Sequence, residues 1–307
     1  MRLALAGDTM LGRGVARVLE RGQPPQSLVE PALAEITRAA DLFVLNLECC
    51  ISARGAPVPK TFNFRTPPSA VETLVHLGVD CVTLANNHAL DYGEDALLDT
   101  FEHLRAAEIA WVGAGRNEEE AWASVTVRGL PIVACCDHMP GFAAGPERPG
   151  IAYADLRRRV PDRLRERAAG ALVCPHWGPN MTPRPVAHVR KAARELRDAG
   201  ATLVAGTSAH VFHGVEGNVL YDLGDFLDDY RVDPQLRNDL GVLFLVDLED
   251  GELRRIEAVP LKLDYAYTRL ACGDEAEWIA GRLREACAAL GTEVVEEDGR
   301  FALFSSA

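Results

Sequence analysis

The chain has 307 residues, 48% of them hydrophobic and 25% charged, an ordinary composition for one large globular domain or one domain with an appendage. A formal net charge of -13 argues against a basic surface for nucleic acid. No stretch is long and apolar enough to span a membrane, and in the leading "MRLALAGDTMLGR" an Asp comes too early for a signal peptide, so a cytoplasmic protein is expected.

Apolar runs alternate with amphipathic ones along the first third of the chain. "RLALAGD" predicts a strand and "GRGVARVLERG" a short helix; "LVEPALAEITRAA" predicts a helix and "DLFVLNLE" a strand. The helix "SAVETLVHLG" and the strand "VDCVTLANN" follow, then the helix "GEDALLDTFEHLRAAE" and the strand "IAWVGAG". This alternation predicts a layered α/β fold with mainly parallel pairing. "GAGRNEEE" has no Lys-Ser/Thr pair, so it reads as a turn rather than a phosphate-cradling loop.

The rhythm then changes. "ASVTVRGLPIVACC" predicts a hairpin around Gly129, and residues 139–150 form a Gly/Pro-rich loop. The alternation returns with the strand "AGALVCPHWG", the helix "PVAHVRKAARELRDAG" and the strand "ATLVAG". β-like segments follow in "GVEGNVLYDLG" and "LGVLFLVDLEDGELRRIEAVPLK", then the helix "EAEWIAGRLREACAAL" and two short strands. Two sheets packed face to face, with a C-terminal α/β segment, are expected. Most of the eight cysteines sit in apolar runs and read as buried free thiols, and without a C-x-x-C pair no structural zinc ribbon is indicated.

In open α/β sheets, functional groups gather beyond the carboxyl ends of strands. Here the strand ends carry Asp8, then Asn46 and Glu48, then Asn86, Asn87 and His88, then His176, then Ser208 and His210, with His213 close behind. Each has an ordinary explanation alone: a turn cap, a surface ion pair, a packed histidine. Together they place carboxylates, an amide and imidazoles on one rim, a donor set suited to one or two divalent ions such as Mn, Fe, Co or Zn. His76, His103 and His188 read as helix residues and His138 as a neighbour of the Gly/Pro-rich loop that could line the pocket. Lys60 and Arg65 ("FRTPP"), and more weakly Asn180 and Arg184, are candidates to hold an anionic substrate.

"GDTMLGR", "NLE", "FRTPP", "ANNHALDYG", "HWGPN", "SAHVFHGVE" and "YDLGDFLDDY", in this order, resemble the bacterial capsule-biosynthesis (CapA-type) family, named for poly-γ-glutamate synthesis. That family is similar in fold to the calcineurin-like metallophosphoesterases. The resemblance covers residues 1–265 and implies a four-layer α/β/β/α sandwich, with residues 266–307 as a small α/β extension packed on the same domain. It implies Asp8, Glu48, Asn87, His176 and His210 as metal ligands, with Glu48 in the place of a bridging Asp. It also implies His88 as the acid that protonates the leaving group, with Asp91 orienting it or capping the next helix. Two departures stand out. Met10 replaces the superfamily's first-motif His, and the hydroxyls of Thr207 and Ser208 occupy the place of a closing-motif His. His213, Asp222 and Asp225 are the nearest substitutes.

Three functions follow as expectations. One is a metal-dependent hydrolase, most simply a phosphoesterase. A second is a role in making or handling a γ-glutamyl polymer or amide, as ligase or accessory protein; the missing phosphate loop weighs against a self-contained ligase. A third is a binding protein whose metal site has decayed.

Overall fold

The computed structural model describes residues 1–305. Among these residues, two sheets dominate a mixed α/β fold, one of ten strands and one of six. Across the larger sheet the strands run Thr292–Glu297, Arg300–Ser305, Glu252–Asp264, Leu240–Glu249, Arg2–Thr9, Leu42–Leu47, Cys81–Thr83 and Ala110–Val112. The last four pair in parallel, as the alternation predicts, and Arg2–Thr9 meets Leu240–Glu249 antiparallel. The strand Arg2–Thr9 is buried along all but its first residue, which suits the near-continuous apolar run of "LALAG". The smaller sheet runs Val215–Glu216, Val219–Leu220, Leu203–Ala205, Leu172–His176, Leu130–Cys136 and Val125–Val127.

The apolar side chains divide between two clusters. Along Leu130–Cys136 the division alternates. Ile132, Ala134 and Cys136 join the cluster that holds the larger sheet, whereas Val133 and Cys135 join a cluster with the helices Asp162–Ala168 and Ala187–Asp198. A strand's period of two thus turns one face of the smaller sheet toward the larger sheet's core and the other toward helices. Ala187–Asp198 answers with Val189, Ala192, Ala193 and Leu196, one face at helical spacing. The hairpin at Arg128–Gly129 has positive φ at both central residues, 51° and 86°, as a two-residue hairpin turn requires.

Several elements depart from expectation. The pattern does not predict the helix Asp162–Ala168, because seven residues with two buried positions, Leu164 and Ala168, carry too weak a period. "GAGRNEEE" is more than a turn: Ala114–Gly115 pairs with Gly150–Ile151, and Asn117 caps a short helix, Glu118–Trp122, by accepting from Glu120 N at 2.9 Å. Asp225–Leu227 runs as a further strand parallel to Arg2–Thr9, with Asp8 opposite Asp225. Near the C-terminus, Arg300–Ser305 pairs with Glu252–Asp264, so the last hairpin extends the larger sheet. No helix among the described residues is long and apolar enough to cross a membrane.

Candidate metal centre

Asp8 reaches the rim because its strand is pressed against the segment before Asp225. Asp8 N donates to Gly224 O at 2.9 Å, and a Cβ on Gly7 would lie 1.8 Å from that same oxygen. Only glycine permits this approach. The pairing with Leu42–Leu47 shifts register between Ala6 and Asp8, which turns the Asp8 carboxylate inward beside Asn46. Asn46 and Glu48 stand two residues apart at the neighbouring strand's end, and both are buried.

The three groups Asp8, Glu48 and His210 offer ligand atoms that all lie within 4.8 Å of one another. His176 adjoins them, its Nδ1 3.8 Å from Asp8 Oδ1 and its Nε2 3.7 Å from Glu48 Oε1. Asn87 completes the group, with Oδ1 2.8 Å from His176 Nε2. All five residues expected as ligands therefore meet in one place, brought from strand ends of both sheets.

Asn46 organises this pocket from the centre. Its Nδ2 donates to Asp8 Oδ1 at 2.7 Å, and its Oδ1 accepts from Thr83 Oγ1 at 2.7 Å and from Asn86 Nδ2 at 3.1 Å. Asn86 in turn accepts from His88 N at 3.0 Å, which shapes the turn carrying Asn87 and His88. Tyr230 donates to Glu48 Oε2 at 3.0 Å, and its ring meets the His210 ring edge-on at 5.2 Å. Asn46 belongs to the expected rim but not to the expected ligands, and Tyr230 is not among the candidate site residues. The period-two spacing of "LNLE" is a signal for the first, whereas only folding brings Tyr230 to Glu48.

The charges are unevenly matched. Burial pushes the Glu48 carboxyl up to about 8, and the Asp8 charge adds to this. Asp222 and Asp225 are pushed well above the carboxylate range, chiefly by burial. Burial also acts on Asp8, but hydrogen bonding and charge from His210, with help from His176 and Asn46, hold it below that range. Burial alone would depress His210; the carboxylates of Asp225 and Glu48 outweigh it and hold the imidazole well above its ordinary range. Burial leaves His176 well below that range, hence neutral. Glu48 Oε1 and Asp225 Oδ2 are buried with no hydrogen-bond partner among the described residues. Buried, unpartnered carboxylate oxygens beside one imidazolium are costly unless a cation neutralises them. The donor set of carboxylate oxygens and imidazole nitrogens therefore fits a divalent ion.

The possible substitutes divide. His210 Nδ1 lies 2.8 Å from Asp225 Oδ1 and 3.1 Å from Asp8 Oδ2, so Asp225 is part of the cluster. Asp222 is spent on backbone, accepting from Ala209 N and Gly224 N. His213 turns to Thr182 O at 2.7 Å, and burial pushes its imidazole down to about 4. Thr207 Oγ1 lies 2.9 Å from His176 Nδ1, and Ser208 N donates to Asp8 Oδ2 at 3.3 Å. Met10 is fully buried and accepts a weak bond from Gly12 N. His138 stands beside Ser208 Oγ at 3.0 Å and edge-on to the His176 ring at 5.6 Å.

His88 and Asp91 form a separate buried pair. His88 Nδ1 lies 2.6 Å from Asp91 Oδ2, and its ring stacks on Phe64 at 4.0 Å. Burial lowers the His88 imidazole, partly offset by the hydrogen bond and charge of Asp91. Lys60, expected to hold substrate, instead turns inward. Its ammonium contacts Asn87 O, Asp91 Oδ1 at 2.7 Å and His88 Nδ1 at 3.1 Å, drawn by the buried carboxylate. Arg65 lies over the Tyr92 ring at 4.2 Å and donates to Arg54 O. Arg184 pairs on the surface with Glu285, and Asn180 is exposed. Neither makes a contact with the metal-ligand cluster among the described residues.

This geometry can be set beside known proteins. A probable polyglutamine synthesis accessory protein of Mycobacterium tuberculosis is 30% identical, over 95% of this chain and 92% of its own. The PGA biosynthesis protein CapA of Bacillus subtilis is 30% identical, over 74% of this chain and 63% of its own. A hypothetical protein from Thermus thermophilus shares the fold at a TM-score of 0.50 and 18% identity, covering 85% of this chain and 99% of that one. The bacterial capsule synthesis protein family PGA_cap matches residues 2–230, a span that includes every residue of the cluster. The chain belongs to that family.

Proposed function

We propose that the protein is a metal-dependent hydrolase acting on a phosphoester or a related anionic substrate. One observation carries the reading: Asp8, Glu48 and His210 present ligand atoms within 4.8 Å of one another, and Glu48 Oε1 is buried without a partner among the described residues. One or two divalent ions (Mn, Fe, Co or Zn) would be held by these three residues, with His176 and Asn87 beside them and Asp225 behind His210. Such an ion supplies Lewis acidity and neutralises charge on the reacting oxygen.

The chain's own groups do the rest. With Nδ1–H donated to Asp91, His88 keeps Nε2 as the atom that, once protonated, passes its proton to the departing oxygen or amine. Asp91 stabilises the imidazolium and Lys60 holds Asp91 in place, while the Phe64 ring fixes the imidazole plane. A four-layer calcineurin-like arrangement, with residues 266–307 as an extension of the same domain, is supported by the two apolar clusters and by the pairing of Arg300–Ser305 with Glu252–Asp264.

A second reading, a role in making or handling a γ-glutamyl polymer, is favoured by the names of the relatives from Bacillus subtilis and Mycobacterium tuberculosis. The test is elemental analysis of the purified protein, with rates on bis-p-nitrophenyl phosphate and on a γ-glutamyl amide in added manganese. Metal-dependent turnover of the phosphodiester supports the first reading, and turnover of the amide alone supports the second. A protein that binds no metal overturns the hydrolase.

A further inference from the structure

Two cations near the pocket are committed elsewhere. Lys60 has its ammonium on Asn87 O, His88 and Asp91, and Arg65 is stacked on Tyr92. Arg13, from the "GDTMLGR" segment, is different. Its Nε lies 3.2 Å from Asp229 Oδ1, yet that oxygen has no hydrogen-bond partner, so the pair is a charge contact only. Among the described residues nothing accepts a hydrogen bond from this guanidinium, and 36% of the side chain is exposed.

Its surroundings point it at the pocket. The guanidinium carbon lies 5.7 to 5.8 Å from the ring centres of Phe62, Phe64 and Tyr230. Phe64 is the ring stacked on His88, and Tyr230 is the phenol bonded to Glu48. One aromatic ring therefore separates Arg13 from the proton-transfer histidine, and one from the metal-ligand cluster. The base of the side chain is fixed as well. Asp229 Oδ2 accepts from Gly14 N at 2.8 Å, and a Cβ on Gly14 would fall 2.6 Å from that oxygen. A planar guanidinium with free N–H groups, held by rings and backed by a buried carboxylate, suits two-point capture of an oxyanion.

Resting on the hydrolase reading, we propose that Arg13 binds the non-reacting oxyanion of the substrate, a phosphate or carboxylate group that the metal-ligand cluster does not engage. The substrate class is then a compound with a second negative oxygen group close to the bond that breaks.

The test compares wild type with Arg13→Gln and Arg13→Lys, with circular dichroism to confirm folding. Inorganic phosphate and glutarate are titrated by calorimetry, and KM and kcat are measured with manganese on 2-phosphoglycolate, whose carboxylate is a second anionic group beside the reacting phosphate. A lost charge-assisted pair should weaken anion binding and raise KM by roughly ten- to hundredfold, while kcat changes little. Arg13→Lys should recover part of the loss. Phosphate binding alone identifies a phosphate substrate, and glutarate binding alone a carboxylate. Anion binding that depends on Arg13 in a wild-type protein without turnover supports this proposal while the hydrolase reading fails. Unchanged anion affinity in Arg13→Gln overturns the proposal, as does a fall in kcat with KM unchanged, or a wild type that binds neither anion.

Discussion

Asn87 Oδ1 and His176 Nε2 lie 2.8 Å apart, joined across two sheets by a hydrogen bond between the atoms each would offer to an ion. His176 is neutral, so with Nε2–H donated to Asn87 its Nδ1 accepts from Thr207 Oγ1. Coordination through Nε2 requires the other tautomer, with Nδ1–H turned toward Thr207 or Asp8.

His176→Asn should therefore lower bound manganese and reduce activity on every substrate alike. His88→Asn should keep the metal and lose turnover by ~10²–10⁴-fold, the usual cost of a missing general acid. The penalty should shrink for a nitrophenolate leaving group, which departs without a proton. Elemental analysis and rates on an activated and an unactivated ester check both; metal loss in His88→Asn with metal retained in His176→Asn would reverse the assigned roles.

Glu48→Gln should separate stability from binding. Above pH about 8, where Glu48 is ionised without metal, the substitution removes a buried carboxylate whose Oε1 lacks a partner among the described residues, a group that costs on the order of 1–3 kcal/mol. The metal-free variant should melt above metal-free wild type, and added manganese should no longer raise its Tm. Calorimetric scans with chelator and with manganese read both effects. A variant that melts lower and still gains from manganese would count against Glu48 as a ligand.

Cysteine substitutions should be nearly silent. Cys49 and Cys136 are fully buried, and burial pushes both thiols well above their ordinary range, where they are inert. Cys49→Ser and Cys136→Ser should leave activity largely intact. An aromatic disulfide reagent should titrate one thiol of the native protein, Cys272, which is exposed. Loss of activity in a folded serine variant would expose a catalytic thiol.

Acid should weaken the fold through Asp239. Burial pushes this carboxyl up, but the paired contacts of Arg237 and the ammonium of Lys262 outweigh it and hold it at about 2. In the unfolded chain it titrates near the ordinary ~3.9. Its contribution is therefore present above about pH 4 and is lost as pH falls toward 2, about 1–2 kcal/mol after screening. Urea unfolding of wild type and Asp239→Asn between pH 5 and pH 2 (a range set by about those two values) should show a shallower acid slope in the variant.

The strand ends were legible because a buried parallel strand is a continuous apolar run, and the first polar residue after it marks the rim. Asp8, Glu48, Asn87, His176 and His210 follow from that pattern and from the family resemblance, without any knowledge of contacts. The short helix Asp162–Ala168 and the strand Asp225–Leu227 were not legible, because segments so brief carry too little periodicity.

What only the tertiary structure decided is which charges remain free. Lys60 and Arg65 read as equal candidates for a substrate anion, yet Lys60 is drawn onto the buried Asp91 carboxylate and Arg65 onto the Tyr92 ring. Tyr230 comes to Glu48 from 182 residues away, and Arg13 is left beside that phenol with its donors unspent among the described residues. Sequence alone determined the kinds of group delivered to the rim, since strand period and strand end are local properties. Pairing depends on distance and burial among residues far apart in the chain, and those exist only once both sheets have met.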